Sequence, residues 1–164
     1  AGEWPALLAA ARRSGLDVGN RIPPQNPAAL AELISIRAEE VVVDDLTRTQ
    51  LVMYAGASGD YNPLHTDEIY TTQIAGYPTV FAHGMLTMGL TGKMLTNYVG
   101  DGRLTKFGVR FTNQVWPGDT LTTTATVLDI QINEDATLVD LEIKTLNQKD
   151  EPVVSGYATA KIDP

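Results

Sequence analysis

The sequence predicts an α+β domain, with an antiparallel sheet wrapped around one long helix. Two observations lead there. Residues 83–99 form one long helix-compatible stretch whose sole formally charged side chain, with His83 neutral, is Lys93. From Phe107 onward, short runs alternate apolar and polar residues and are separated by Gly-, Pro- and Asn-containing turns. A helix that is apolar almost all round is buried on most sides. Period-two runs joined by turns build an antiparallel meander, and the two together are α+β.

Each element has its own signal. Residues 1–40 read as an N-terminal extension or lead-in. Pro5–Arg13 and Ala28–Glu40 have helical composition, and Ile22-Pro-Pro-Gln-Asn-Pro27 breaks the chain between them. The domain proper is expected over 41–164, opening with a brief strand at Val41–Val43. Thr47 and Gln50 have capping-box spacing ahead of the apolar run Leu51–Ala55, so a helix starts there and stops near Gly56–Gly59. Thr66 is the candidate cap of a further short helix, with Asp67 and Glu68 in its first turn. The long helix contains Gly84, Gly89 and Gly92, each costing about 1 kcal/mol against Ala. Such residues imply that something packs closely against the helix. Phe107/Val109/Phe111, Leu121/Thr123/Ala125/Val127, Val139/Leu141/Ile143 and Val154–Ile162 are the strands, with Trp116-Pro-Gly-Asp119 as a turn.

Composition narrows the function. A chain of 164 residues that is 43% hydrophobic can bury a real core. There is no cysteine, which excludes disulfides and thiolate metal sites. With only His65 and His83 as imidazoles, a zinc site would need carboxylates, and no metal is expected. The net charge of -8 argues against nucleic acid. Arg103, Lys106 and Arg110 offer a local basic patch for an anionic carrier, although solvated strand positions are the commoner outcome. No apolar run reaches the length of a membrane span. Arg12 and Arg13 follow the short apolar stretch Ala6–Ala11 rather than precede it, the wrong order for a secretory signal. A cytoplasmic location is expected.

Two segments carry chemistry. Tyr54-Ala-Gly-Ala-Ser-Gly-Asp-Tyr-Asn-Pro-Leu-His65 sets one carboxylate, Asp60, and one imidazole, His65, on a tight turn. Phe81-Ala-His-Gly-Met85 opens the long helix. Alone, Asp60 reads as an Asx turn or helix cap, and His65 as a helix-entry histidine. Their joint spacing favours a pair that moves a proton to or from water beside a polarised carbonyl. Asn62 shapes the turn or orients a partner. Gly84 stands where a helix leaves backbone N–H groups unpaired and the dipole is positive; tolerance for packing explains it equally well. His83 reads as a structural histidine at that helix start. Met85, Met88 and Met94 read first as flexible core filling and second as the border of an acyl tunnel.

These residues resemble the MaoC-like (R)-specific enoyl-CoA hydratases and 3-hydroxyacyl-thioester dehydratases. The resemblance rests on Ser58-Gly-Asp-Tyr-Asn-Pro-Leu-His65, Ala82-His-Gly-Met-Leu86 and Trp116-Pro-Gly-Asp119. Val18-Gly-Asn-Arg-Ile-Pro-Pro24 looks like the family's usual opening, and the pattern covers roughly residues 41–162. It implies the hot-dog fold, a curved antiparallel sheet around a central helix. It implies that Asp60 and His65 hold the catalytic water, and that the Gly84 N–H meets the thioester carbonyl. Ser58, Asn62 and His83 support them. Some members carry a serine on the central helix; here none lies between His83 and Val99, and Thr91 or Gly92 falls near that place.

The implied reaction is hydration of a trans-2-enoyl thioester, or its reverse, on coenzyme A or an acyl carrier protein, without a cofactor. The resemblance also implies a dimer of hot-dog units, homo- or heteromeric. Two alternatives stand beside it. One is an acyl thioesterase, because the fold serves both chemistries. The other is a thioester-binding module or a subunit that needs a partner chain.

Overall fold

The computed structural model describes residues 37–132 and 136–162. The expected helices of the lead-in before Arg37, and the Val18–Pro24 segment, lie outside them. The order of elements is β1 (Arg37–Val43), α1 (Arg48–Ser58), a 3₁₀ turn (Pro63–His65), a π turn (Tyr70–Ile74), α2 (Gly84–Val99), β2 (Leu104–Phe111), β3 (Leu121–Ile132), β4 (Thr137–Leu146) and β5 (Pro152–Ile162). The strands form a five-stranded antiparallel sheet in the order β1-β3-β4-β5-β2. Helix α2 contacts β1 at one edge and β2 at the other. One helix reaches both edges only if the sheet curls around it. This is the hot-dog arrangement.

Pairing overrides propensity in β1. Arg37–Glu40 has helical composition, yet it is strand, with Glu39 opposite Thr124 and Val41 opposite Thr122. In β3, Leu121, Thr123, Ala125 and Val127 point inward as the alternation predicts. An irregularity between Val127 and Asp129 then shifts the register, and Ile130 becomes the inward residue. A one-residue change of this kind swaps the faces of all that follows.

Helix α1 starts as predicted. Thr47 and Gln50 form a reciprocal capping box, and Gly59 ends the helix in a left-handed conformation (φ 74°). Thr66 is not the cap of the next helical segment. That role falls to Asp67, whose carboxylate accepts the Tyr70 N–H at 3.0 Å.

Helix α2 is less enclosed than its composition predicts. Met94, Leu95, Tyr98 and Val99 are buried against Ala125, Val127, Val139, Leu141 and Ile143. Its opposite stripe, Met85, Gly89, Lys93 and Asn97, is exposed. Of the three helix glycines, two receive aromatic rings from β2: a Cβ on Gly84 would lie 3.2 Å from Phe111, and one on Gly92 3.3 Å from Phe107. Gly89 meets nothing within 4 Å. Gly156 is demanded by the sheet, since a Cβ there would run into the Gly108 carbonyl of the neighbouring strand.

A second apolar cluster sits at the N-terminal end of α2. Leu46, Leu51, Val80, Ala82, Val115, Leu121 and Val153 meet there, with Leu86 and Leu90 against them. It fastens α1 and the segment entering α2 to the sheet. Arg48 fastens the same segment by polar contacts, donating to Glu68 (2.7 Å) and to the Thr79 hydroxyl (2.6 Å). Glu68 also accepts from Thr79 (2.9 Å). Its carboxyl is held down to about 2, first by the Arg48 hydrogen bond and then by that from Thr79. Both partners of the ion pair are about half exposed, so salt screens it.

A depressed carboxyl contributes stability that is present above its ordinary range and is lost as pH falls toward its folded value. Urea midpoints should therefore drop between pH 4.5 and about 2. Glu68→Gln should show a shallower drop over that interval at low salt. An identical acid limb in the variant would deny the clamp a role in stability.

Candidate functional site

The loop after α1 is built from its own polar side chains. Ser58 Oγ donates to the Tyr54 carbonyl (2.8 Å) and accepts the Asp60 N–H (3.2 Å). Asp60 Oδ1 accepts the Asn62 N–H (3.2 Å), and Asn62 Oδ1 accepts the Leu64 N–H (3.1 Å), capping the 3₁₀ turn that carries His65. Ser58 and Asn62 thus shape the loop. Asp60 makes an Asx contact through one oxygen, and its exposed carboxylate remains available for further contacts.

His65 is buried, and its Nδ1 lies 2.7 Å from the Phe81 carbonyl. A carbonyl only accepts, so Nδ1 carries the hydrogen and Nε2 is the acceptor of the neutral ring. Burial is the main reason its pKa lies below the ordinary 6.5. The Phe81 hydrogen bond works against that shift, the neighbouring His83 adds to it, and Asp60 opposes it.

His83 is the N-cap residue of α2 and is buried. Its Nε2 donates to the Asp60 carbonyl (2.9 Å), and its ring stacks on His65 with centroids 3.8 Å apart, tilted by 31°. Tyr54 covers it at 5.0 Å. His83 therefore touches both members of the expected pair, through the Asp60 backbone and through the His65 ring.

Side-chain ligand atoms of Asp60, His65 and His83 lie within 4.8 Å of one another. Zinc needs lone pairs that converge at about 2.0–2.2 Å. His65 Nδ1 and His83 Nε2 are each spent on a carbonyl, which leaves His65 Nε2 and the buried, unpartnered Nδ1 of His83 as the free ring nitrogens.

Gly84 opens α2, where its N–H has no intrahelical acceptor. Beside it lies a cleft of ≈ 300 Å³ between the helix start and the β2–β3 connection, lined by Phe81, Gly84, Thr87, Phe111, Val115 and Val153 among others. Two contributors were not visible as such in the sequence. The Phe81 carbonyl is a backbone group, so no residue type announces it. Phe111 stands over Gly84 and forms a cleft wall; its only signal is the alternation of β2.

The remaining expected residues divide. Thr91 is sealed in the core, bonded to Thr145 Oγ1 (2.9 Å), which in turn bonds Thr123 Oγ1 (2.9 Å). Gly92 receives the Phe107 ring. Met94 is buried, Met88 half-buried and Met85 exposed. Of the three cations, Arg103 bonds to the Val99 carbonyl at the end of α2 (3.4 Å), Lys106 lies over the Tyr157 ring (5.1 Å), and Arg110 is exposed.

Residues 34–149 match the MaoC-like domain. A 3-hydroxyacyl-thioester dehydratase of Mycobacterium tuberculosis is 39% identical over 90 residues, covering 53% of this chain and 31% of that protein. A peroxisomal enoyl-CoA hydratase 2 of Arabidopsis thaliana is 36% identical over 97 residues, 57% of this chain and 31% of its own. The matches thus span about a third of those relatives. Among solved structures, an R-hydratase from Pseudomonas aeruginosa in the unliganded form superposes with a TM-score of 0.68 at 27% identity, covering 79% of this chain and 81% of the other. No helix among the described residues is long and apolar enough to cross a membrane.

The hydrogen-bond partners fix opposite tautomers for the two histidines. Long-range ¹H–¹⁵N spectra of the neutral protein should show His65 protonated at Nδ1 and His83 at Nε2, with His65 titrating below 6.5. A His65 carrying its hydrogen on Nε2 would contradict the site as drawn.

Proposed function

This chain belongs to the MaoC-like domain family, and from that premise we propose that it is an (R)-specific hydro-lyase. It interconverts trans-2-enoyl thioesters and (R)-3-hydroxyacyl thioesters. The observation that carries the reading is a neutral, buried His65, its Nδ1 tied to a carbonyl, whose remaining ring nitrogen is free to accept beside the Asp60 carboxylate. The family relatives named as dehydratase and hydratase support it.

In this reading one water is held between His65 Nε2 and the Asp60 carboxylate. As its oxygen bonds to C3 of the enoyl group, the Asp60/His65 unit takes a proton. Electron density moves to the thioester oxygen, which the Gly84 N–H stabilises at the positive end of α2. The same unit returns a proton to C2, and both additions come from one face. Dehydration runs the steps backward, with the protonated unit assisting loss of hydroxide. Neutral His65 is the competent form for hydration. Its lowered pKa keeps it so at neutral pH, and activity should fall only on acidification below the ordinary histidine range.

The thioester is carried on coenzyme A or an acyl carrier protein. Two hot-dog units pair, identical or not: β2 is an edge strand, and Met85 and Phe111 expose apolar surface at its end of the helix.

Purified protein should consume the enoyl absorbance of crotonyl-CoA without releasing thiol. Asp60→Asn and His65→Gln should each lower kcat about 10²- to 10⁴-fold; Asp60→Asn should melt close to the parent, and His65→Gln, which loses the Phe81 bond, should melt lower while keeping the parent's circular dichroism. Normal turnover in both variants would remove the site, and thiol release would move the protein to the thioesterases.

A further inference from the structure

We propose that the Thr87 hydroxyl is a second hydrogen-bond donor to the thioester carbonyl oxygen, beside the Gly84 N–H. The inference rests on the hydro-lyase reading and adds a substrate contact to it. Thr87 is only 3% exposed and lies one helical turn after Gly84, on the same face of α2. Both residues line the ≈ 300 Å³ cleft.

A helical threonine ordinarily satisfies its hydroxyl on a carbonyl three or four residues back, here Gly84 or His83. Thr87 does not: the His83 carbonyl accepts the N–H groups of Leu86 (3.0 Å) and Thr87 (3.4 Å), and Thr87 Oγ1 bonds to no described residue. Nor is that oxygen sealed from solvent. The little surface Thr87 shows therefore includes its oxygen, and the opening it meets is the cleft. The contrast with Thr91, one turn further on, is direct, because that hydroxyl is closed into a chain with Thr145 and Thr123.

Direction supports the assignment. Helical side chains lean toward the N-terminus, so the Thr87 hydroxyl lies over the turn that starts with Gly84. The cleft walls around it combine the apolar Phe111, Val115 and Val153 with Thr112, Asn113 and Gln114. Donors held in place within a cleft count for more against a developing negative charge than freely reorienting donors in water. An acyl oxygen that reaches the Gly84 N–H finds Thr87 as its other donor. As water adds to C3, the charge that grows on that oxygen strengthens both bonds.

Thr87→Val keeps the shape and loses the donor; Thr87→Ser keeps the donor and loses a methyl group. In Thr87→Val, kcat on crotonyl-CoA should fall about 10²-fold, with Thr87→Ser within about three-fold of the parent and both melting near the parent temperature. Binding of butyryl-CoA, a saturated thioester that cannot be hydrated, should weaken about five-fold in Thr87→Val by calorimetry. Unchanged turnover and binding in Thr87→Val overturn the contact. Equal losses in both variants overturn it too, since they reflect packing. A parent protein that binds butyryl-CoA but turns over no enoyl thioester sinks the hydro-lyase reading alone, and the Thr87→Val binding comparison then still decides this contact. A parent that does neither overturns both.

Discussion

The hydrogen bond from His65 Nδ1 to the Phe81 carbonyl, 2.7 Å long, is the contact on which the site depends. It fixes the tautomer, and so decides that the other ring nitrogen accepts. It is matched by a backbone bond in the opposite sense, from the Phe81 N–H to the Leu64 carbonyl at 3.3 Å. Between them the two bonds lace the turn bearing His65 to the strand-like segment that enters α2. The Ala82 N–H reaches the Val115 carbonyl at 2.8 Å, which continues the lacing to the β2–β3 connection. The loop with the carboxylate, the start of the helix and the wall of the cleft are thereby held in one frame.

That frame is stiffened from outside by ordinary packing. The apolar cluster of Leu46, Leu51, Val80, Ala82 and Val115 lies directly beneath it. His83 adds a brace within the frame, bonded to the Asp60 backbone and stacked on His65. In the proposed reaction Asp60 and His65 act on one solvent molecule, and groups with such a task need to be held to within a fraction of an ångström. Here the positioning is done mainly by backbone carbonyls and buried rings. Of the pair, Asp60 is exposed and His65 buried.

Much of this was legible in the residues. The capping box of Thr47 and Gln50, the alternation of β3 and β4 and the charge-poor run of α2 each carry a local signal, and each element formed where that signal lies. The Asp60–His65 spacing was legible too, because Asn62 and Pro63 shape the turn between them. Tertiary terms were not. Arg37–Glu40 pairs with β3 against its helical composition. The register change after Val127 sends Ile130 inward, and no residue type marks it. Asp67 displaces Thr66 as a cap because its carboxylate reaches the Tyr70 N–H. The exposed stripe of Met85, Gly89, Lys93 and Asn97 shows that an apolar composition does not say which side of a helix the sheet covers. Thr87 looks like any helical threonine until the cleft beside it is seen.

The central claim is that a single Asp60/His65 unit delivers the elements of water to one face of the double bond. The stereochemistry of hydration in deuterium oxide tests it most directly. Crotonyl-CoA should give one diastereomer of 2-deuterio-3-hydroxybutyryl-CoA by NMR, with the R configuration at C3 and the deuterium and hydroxyl added syn. Anti addition, or a mixture at C2 formed without exchange of the product, would mean that separate groups handle the two atoms and would contradict the account.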